Sequence, residues 1–287
     1  MINKLFGNLF ISAGAMKAGT TWLYAVLERH PELHFTPEKE IHYFHYLYAD
    51  KSVLSEERRL ELAKTRYLER FDPARANIDR VRCNLHWVTN YLDRPVDDFW
   101  YRNLFTLARQ EKWSCDFSNF YALLPQEAWP KIASKCDDLK VLYTLRDPIK
   151  RLWSHTKFHL QVSGQLEALD SWGPKEFETF VRKPFMWKNA EYGAALRRMK
   201  AGLPEGALKT VFFEDIRQRP REVLGEIGTF LGLAPHSYPD ALIDRRVNES
   251  VSRPMPDFFP ELFEKDVARI RTEVEAEGLD LPASWSA

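Results

Sequence analysis

A glycine-bounded loop between an apolar run and a helical segment constrains the fold of this chain more than any other feature. Residues Leu9–Ala13 form a short, continuous apolar run that is typical of a buried strand, and Trp22–Glu28 has the pattern of a helix. The loop between them is bounded by Gly14 and Gly19. A strand, a glycine loop and a helix N-terminus together direct backbone N–H groups at an anion. The sequence therefore predicts a phosphate-binding loop within an α/β fold.

The position of one lysine distinguishes this loop from that of nucleotide hydrolases. Gly14, Gly19 and Thr21 fit the frame G-x-x-x-x-G-x-[ST], but the hydrolase motif has its lysine directly after the second glycine. Thr20 occupies that position here, and the lysine lies inside the loop as Lys17. This displacement argues against an ordinary ATPase. A tight strand–helix turn that binds no ligand is the alternative interpretation of the loop taken alone.

A second polar site follows another apolar run, Val141–Leu145, which also reads as a buried strand. Asp147 and Pro148 are a favourable helix N-cap and first helical residue, so Arg146 ends the strand and Ser154 falls in the second turn of the helix. Ligands of open α/β sheets bind at the carboxyl ends of the strands. A guanidinium offers paired donors to phosphate oxygens, and a serine adds a neutral donor. The alternative is a capped helix with an arginine–acid ion pair.

Together, the two sites resemble those of the sulfotransferases that use 3′-phosphoadenosine 5′-phosphosulfate (PAPS). The string G-x-x-K-x-G-T-T at Gly14–Thr21 resembles the 5′-phosphosulfate loop of that family, and R-D-P-x-x-R-x-x-S at Arg146–Ser154 resembles its 3′-phosphate motif. The resemblance implies a P-loop-type, three-layer α/β fold with a central parallel sheet flanked by helices, in one domain over residues 1–287. It also implies transfer of a sulfonate group from PAPS to an acceptor by in-line displacement, with 3′-phosphoadenosine 5′-phosphate as the other product.

The resemblance further implies roles for the residues that match the donor motifs. Lys17 would stabilise negative charge on the leaving phosphate oxygen, while Arg146 and Ser154 would hold the 3′-phosphate. Residues 245–254 resemble the late loop that closes over the 3′ end of the nucleotide, although the usual Lys-Gly pair of that loop is missing. The residues expected to bind the donor are Lys17, Ala18, Gly19, Thr20, Thr21, Arg146, Ser154 and Arg253.

A candidate general base follows in the string Lys39–Phe44. This string resembles the K-E-x-x-[FY]-F segment of the heparan-sulfate-type branch of the family and its bacterial relatives, in which the glutamate is the expected base. By this match, Glu40 would take the proton of the acceptor. Cytosolic members of the family use a histidine instead, so His42, His45 and His86 are rival bases.

A third string, Asp116–Tyr121, resembles the [ED]-x-[ST]-P-x-Y strand end of the family. Ser118 and Tyr121 keep their places, but Asn119 replaces the proline. Phe117 stands where heparan-sulfate enzymes often have a lysine, which weakens the case for a heparan-like acceptor. The segment around Glu40 favours carbohydrate-type hydroxyls, whereas the many Trp and Phe residues would also suit an aromatic or lipid-like acceptor. The expected partner is a small-molecule or carbohydrate acceptor.

Composition and charge limit the other partners. The formal net charge is zero, with 41 basic and 41 acidic residues, so we expect no nucleic-acid partner. Three widely spaced cysteines have the spacing of neither a zinc site nor a disulfide framework, and we expect no metal. The first predicted strand begins at residue 9, and no apolar run approaches roughly 18 residues. We therefore expect no signal peptide, no stable membrane insertion and a cytoplasmic location.

Two function classes compete with a sulfotransferase. The first is a P-loop kinase or nucleotide hydrolase that uses Mg-ATP, with Thr21 and Asp215 on the metal, because the predicted strand Leu208–Asp215 ends in two acids. The second is a nucleotide-binding module without catalysis. Dependence on a divalent metal separates the kinase from the sulfotransferase, and turnover separates both from the module.

Two stretches of the chain lie outside the motifs. Asp97–Gln110 is predicted to be helical, and residues 161–190 to be a mobile connection with a short helix. A further amphipathic helix is predicted from the periodic apolar residues Leu54, Leu60, Leu62, Tyr67 and Leu68. These segments are expected either to pack on the core or to shape an acceptor pocket.

Overall fold

A parallel β-sheet with helices on both faces forms the protein, as seen in a computed structural model that describes residues 4–107, 111–247 and 251–285. In these ranges the sheet has five strands in the order β2-β3-β1-β4-β5, and every neighbouring pair is parallel. The strands are β1 (Phe6–Gly14), β2 (Leu33–Phe35), β3 (Trp113–Phe117), β4 (Cys136–Leu145) and β5 (Leu208–Phe212). The predicted central parallel sheet is confirmed.

Helices connect the strands and cover the sheet. The α-helices of the described residues are α1 (Thr20–Leu27), α2 (Tyr43–Tyr48), α3 (Glu56–Ala63), α4 (Ile78–Leu92), α5 (Asp98–Asn103), α6 (Ala128–Ala133), α7 (Pro148–Val162), α8 (Ala168–Ser171), α9 (Pro174–Val181), α10 (Pro184–Trp187), α11 (Tyr192–Gly202), α12 (Phe213–Gln218), α13 (Pro220–Leu231), α14 (Asp240–Ile243), α15 (Phe258–Glu261) and α16 (Glu264–Ala276). Short 3₁₀ turns occupy Lys51–Leu54, Pro73–Arg75, Asn119–Leu123, Lys188–Ala190 and Ala283–Trp285, and a π turn occupies Lys64–Leu68. Of the helices described, none is long and apolar enough to cross a bilayer.

Successive residues of β1 belong to two separate apolar layers. Leu9 and Ile11 are buried in a core cluster on one face of the sheet. Phe10 points to the other face, where it is buried with Leu23 of α1 and Ile227 of α13. Each of these side chains has no exposed surface, and full burial of such a side chain contributes about 1.5–3 kcal/mol. Because both faces of β1 are covered, the predicted three-layer arrangement is confirmed.

The segments that carry the sequence motifs all leave the same edge of the sheet. Residues 15–19 follow β1, residues 36–42 follow β2 and residues 118–119 follow β3. Arg146 and Asp147 follow β4. Because parallel strands end at the same edge, segments that are far apart in the sequence become neighbours there.

The prediction for the inserted segment between β2 and β3 is wrong in detail. One amphipathic helix was expected around Leu60 and Leu68, but the chain forms a 3₁₀ turn, α3 and a π turn instead. Ser55 starts α3 as a new helix, because its hydroxyl accepts a hydrogen bond from the Arg58 N–H at 3.4 Å. Leu60 and Leu68 are 57% and 61% exposed, so they are not part of an apolar core face.

Two further helical predictions need correction. The helix expected over Asp97–Gln110 is shorter, since α5 ends at Asn103 and residues 108–110 lie outside the described ranges. Phe99, assigned to its apolar face, is 69% exposed. Residues 161–190 contain α8, α9 and α10 rather than one short helix. Phe177 of α9 is fully buried against Trp153 and Phe259, which explains why this connection is ordered into helices.

Candidate active site

A cavity of about 1500 Å³ lies at the carboxyl edge of the sheet. Its wall is formed by the loop after β1, the segment after β2, the middle of α7, and residues 243–247 and 251–254. The cavity therefore brings together residues from motifs that are more than 200 positions apart. The predicted site residues that line it are Lys17, Gly19, Thr20, Thr21, Glu40, Arg146, Ser154 and Arg253.

The loop after β1 has a backbone that only some residues tolerate. Gly19 has a φ of 91°, and a Cβ on it would lie 2.8 Å from a ring carbon of Phe213. Glycine is therefore required at this position, directly before the first residue of α1. Ala18 is fully buried, and its N–H donates to the Ala15 carbonyl at 3.2 Å. The Trp22 and Leu23 N–H groups donate to the Gly19 carbonyl at 3.0 and 3.2 Å, and the positive end of the α1 dipole, which favours an anion, begins directly after this loop.

Positive charge is concentrated around this loop. The ammonium of Lys17 lies 4.6 Å from the centre of the Phe158 ring. Burial lowers the pKa of Lys17, and the nearby charges of Arg146, Lys157 and Lys39 lower it further. Mutual repulsion of this kind is relieved when an anion binds between the cations. The site is thus locally electropositive in a chain whose formal net charge is zero.

Arg146 connects the end of β4 to the same loop. Its Nη1 donates to the Lys17 carbonyl at 3.0 Å, and its guanidinium lies 4.5 Å from the centre of the Phe213 ring. Its Nε is buried and finds no hydrogen-bond partner among the described residues. Ser154 of α7 is almost fully buried and lines the cavity with Arg146. The predicted N-cap of α7 is confirmed, since Asp147 accepts from the Lys150 N–H at 2.8 Å.

Lys39 joins the loop to the segment after β2. Its ammonium donates to the hydroxyls of Thr20 and Thr21 at 3.3 and 3.1 Å. It also lies 3.6 Å from Oε1 of Glu40. No role was predicted for Lys39 itself, although it is the first residue of the K-E-x-x-[FY]-F string. Its cationic side chain beside two loop hydroxyls makes it part of the site.

Glu40 is held by Asn119. Its Oε2 accepts from the Asn119 backbone N–H at 2.7 Å, and its Oε1 accepts from the Asn119 side-chain Nδ2 at 2.6 Å. The Glu40 side chain is 31% exposed and lines the cavity. Burial raises the pKa of Glu40, while the charge of Lys39 and the Asn119 N–H act in the opposite direction. A carboxylate with a raised pKa beside a cavity is suited to accept a proton.

The buried Asp116 carboxylate holds the segment that carries Glu40 through hydrogen bonds. Asp116 accepts hydrogen bonds from the hydroxyls of Ser118 at 2.6 Å, Tyr121 at 2.6 Å and Tyr101 at 2.8 Å. The Ser118 hydroxyl in turn accepts from the His42 backbone N–H at 3.0 Å. Asp116 is the first residue of the string that resembles the family's strand end, but no role was predicted for it. Its structural role is to fix the turn that presents Glu40.

The three rival histidines lie in different surroundings. His42 lines the cavity, and its Nε2 lies 3.6 Å from Oε2 of Glu40. Its ring stacks on Phe120 at 4.4 Å, and burial lowers its pKa to about 3. The centre of the His45 ring lies 5.2 Å from that of Phe120. His86 is exposed on α4, where it bonds the Thr106 hydroxyl at 3.0 Å. Of the three, His42 is the one beside the candidate base.

Arg253 lines the cavity but is already engaged. Its guanidinium lies 3.2 Å from the Asp170 carboxylate, and its side chain is 43% exposed. The Arg253 carbonyl accepts from the Trp153 indole at 3.3 Å, which anchors residues 251–254 to α7. Asn248, Glu249 and Ser250, which belong to the same predicted loop, lie outside the described residues.

The two acids expected at a strand end lie in a helix. β5 ends at Phe212, and Glu214 and Asp215 form the first turn of α12. Asp215 accepts from Nε of Arg219 at 3.3 Å, and Glu214 accepts from the Asp147 N–H at 3.1 Å. Within the described ranges, no three His, Cys, Asp or Glu side chains are grouped so that they could hold a metal ion.

Comparisons with known proteins point to one family. The model of the sulfotransferase family matches residues 9–237. Among solved structures, the chain is similar to a sulfotransferase from Alicyclobacillus acidocaldarius, with 23% identity, coverage of 97% of this chain and 98% of that chain, and a TM-score of 0.63. It is also similar to the sulfotransferase domain of the Synechococcus PCC 7002 olefin synthase, with 18% identity, coverage of 98% and 97%, and a TM-score of 0.53. No curated protein matches significantly. At these identities the two structures support the fold alone.

Proposed function

Because the chain belongs to the sulfotransferase family, we propose that it transfers a sulfonate group from PAPS to a hydroxyl or amine of a small-molecule or carbohydrate acceptor. One observation carries this proposal. The electropositive loop, the Arg146–Ser154 pair and the Glu40 carboxylate all line the same cavity. A donor with anionic groups at both ends and a neutral acceptor would meet complementary chemistry there.

The residues of the cavity fit the donor. PAPS carries a phosphosulfate at one end and a 3′-phosphate at the other. The loop N–H groups, including that of Thr20, together with Lys17 and the Thr21 hydroxyl would bind the phosphosulfate, while the Thr20 hydroxyl donates its one proton to Asn119. Arg146 and Ser154 would bind the 3′-phosphate, and this assignment is supported by the buried Nε of Arg146, which has no hydrogen-bond partner in the part of the chain that the structure describes. Arg253 would donate to the same phosphate while it keeps its ion pair with Asp170.

Two residues would act on the reacting groups. PAPS supplies the activated sulfonate. The proton of the acceptor would pass to a carboxylate oxygen of Glu40 as the acceptor attacks. Lys17 would stabilise the negative charge that develops on the departing phosphate oxygen. Lys39 lies 3.6 Å from Glu40 and within hydrogen-bond distance of both threonine hydroxyls. Its charge would keep Glu40 ionised before the acceptor binds.

The inserted segment between β2 and β3 would form part of the acceptor site. Leu62 of α3 and Arg66 of the π turn line the cavity beside Glu38. Glu38 accepts from the Tyr67 hydroxyl at 2.9 Å and lies 3.5 Å from the Arg66 guanidinium. These contacts attach the insertion to the segment that carries Glu40. The wall they form combines one aliphatic side chain with hydrogen-bonding groups, which suits a hydroxylated acceptor.

An acceptor screen with labelled PAPS, run in EDTA, tests the proposal directly. A parallel reaction with labelled ATP and Mg²⁺ tests the kinase alternative. That alternative requires Thr21 and Asp215 at a metal, but the Lys39 ammonium lies 3.1 Å from the Thr21 hydroxyl and Asp215 is paired with Arg219. We expect sulfonate transfer that persists in EDTA. Lys17→Ala should abolish it, whereas Lys140→Ala, outside the cavity lining, should not. Label transfer from ATP alone would overturn the proposal.

A further inference from the structure

Asn119 occupies a position that the sequence resemblance assigns to proline. Its side chain and backbone make three hydrogen bonds within the site. Two donate to Glu40, at 2.6 and 2.7 Å, and the third is accepted by Oδ1 from the Thr20 hydroxyl at 3.1 Å. Proline has no N–H and no polar side chain, so it could make none of these bonds. The contacts are therefore specific to asparagine at this point of the chain.

The bonds form a closed ring of four side chains, which we call the Asn119 ring: Lys39, Thr20, Asn119 and Glu40. Lys39 donates to the Thr20 hydroxyl, and that hydroxyl donates to Oδ1 of Asn119. Nδ2 of Asn119 then donates to Glu40, and Lys39 closes the ring at 3.6 Å from the same carboxylate oxygen. The direction of each bond is fixed, because Lys39 can only donate and an ionised Glu40 can only accept.

We propose that Asn119 is a positioning residue that aligns the Glu40 carboxylate for proton transfer and ties it, through Thr20, to the donor-binding loop. This inference rests on the proposed function of Glu40 as the general base. Glu40 needs such support because its own backbone is strained, with a φ of 60°. The two bonds from one residue hold both carboxylate oxygens; Oε1 also faces Lys39, so Oε2 keeps a lone pair for the acceptor.

The ring also determines how Asn119 affects the ionisation of Glu40. A donor to the ionised form of a carboxylate lowers its pKa, so loss of the Asn119 donors raises the pKa of Glu40 above its already raised value. The base must be ionised to act, so the acid limb of the pH–rate profile should then move to higher pH. A hydrogen bond to a charged group corresponds to a shift of about one pH unit or more.

Three substitutions separate the parts of the ring. Asn119→Ala removes the side-chain bonds and keeps the backbone N–H. Asn119→Pro removes every donor, and Ser118 already has the extended conformation that a residue before proline adopts, with a φ of −129° and a ψ of 104°. Asn119→Asp keeps the shape of the side chain but places a second carboxylate beside that of Glu40. Asn90→Asp is the matched control, because Asn90 lies on α4 and bonds the Asn103 carbonyl instead.

The first readout is the pH dependence of kcat/KM. We expect the acid limb to move up by about one pH unit in Asn119→Ala and further in Asn119→Asp, with kcat lowered at least roughly tenfold at neutral pH. Affinity for 3′-phosphoadenosine 5′-phosphate should change much less, and Asn90→Asp should leave the profile unchanged. A double change with Thr20→Val should be less than additive, because Thr20 and Asn119 belong to the same ring.

The second readout does not depend on turnover. Glu40 can be titrated by carbon NMR of the labelled carboxyl, assigned by its loss in Glu40→Gln. A higher pKa in Asn119→Ala supports the proposal even if PAPS proves not to be the donor, in which case the proposed function alone fails. An unchanged Glu40 titration in Asn119→Ala overturns the positioning role, whatever the activity. If Asn119→Pro fails to fold, as judged by its melting curve, Asn119→Ala decides the outcome.

Discussion

The substitution Glu40→Gln tests the proposed base most directly, and its effect can be worked out from the contacts of Glu40. A general base contributes about 10²–10⁴-fold to the rate, so kcat should fall by that factor. The glutamine amide also has one oxygen where the carboxylate has two. Its NH₂ must face one of the two Asn119 donors, which leaves that donor unsatisfied. This mismatch costs about 1–3 kcal/mol of stability, so a lower melting temperature should accompany the loss of activity.

The assay must separate lost chemistry from lost structure. We would measure kcat at saturating acceptor, the affinity for 3′-phosphoadenosine 5′-phosphate, and the melting temperature. Glu38→Gln is the matched control, because Glu38 lines the same cavity and accepts hydrogen bonds but is not the proposed base. Nucleotide affinity should stay near normal in Glu40→Gln, and Glu38→Gln should lose far less turnover.

The pH profile and a His42→Asn variant together decide whether Glu40 or His42 is the base. Burial raises the pKa of Glu40, and the ionised form is the active base, so the acid limb of kcat/KM should lie above the range of an ordinary glutamate, whose pKa is about 4.3. Burial lowers the pKa of His42 to about 3, so a His42 base would place the acid limb at lower pH than a Glu40 base. Near wild-type turnover in Glu40→Gln, together with an abolished rate in His42→Asn, would reassign the base to His42.

Three further predictions concern the donor site and its support. Arg146→Ala should weaken binding of 3′-phosphoadenosine 5′-phosphate, measured by calorimetry, by roughly ten- to a hundredfold. Both Arg146→Ala and Ser154→Ala should reduce the ratio of the affinity for this nucleotide to the affinity for its 3′-hydroxyl analogue. An unchanged ratio would remove both residues from the 3′ site. Gly19→Ala should abolish nucleotide binding in the same experiment, because its Cβ would meet the Phe213 ring. Asp116→Asn should lower the free energy of unfolding by about 1–3 kcal/mol in denaturant titration, since three hydroxyls lose an ionised acceptor, and unchanged stability would count against this role.

Local sequence patterns predicted the parts of the site that follow single strands. The loop at Gly14–Thr21 and the cap at Asp147 depend on residues close in the sequence, so turn chemistry and capping preferences were sufficient. The structure has a strand, a loop and a helix at the first position and a helix N-cap at the second. The amphipathic helix expected around Leu60 fails because a local apolar period does not reveal whether the rest of the fold covers that face.

The contacts that hold Glu40 could not be predicted from the same patterns. Asn119 and Glu40 are 79 positions apart, and the bond from Tyr101 to Asp116 joins a residue of α5 to a residue of β3. Asn119 was noted as a departure from the family string, and that departure was the available signal. A single sequence does not say which side chain will face a substituted position, because that depends on the pairing of β3 with β1 and β2.

The strand order has a consequence for how the protein becomes competent to bind its donor. β1 pairs with β3 through contacts such as Leu9 with Ser114, and these parallel pairings close long loops of chain. Loop closure of this kind is slow, and pairings between distant strands form late in folding. A nucleotide held as we propose, by residues after β1 and β4, would bind tightly only once these strands are assembled into the sheet. Recovery of nucleotide binding during refolding should therefore lag behind recovery of helical signal.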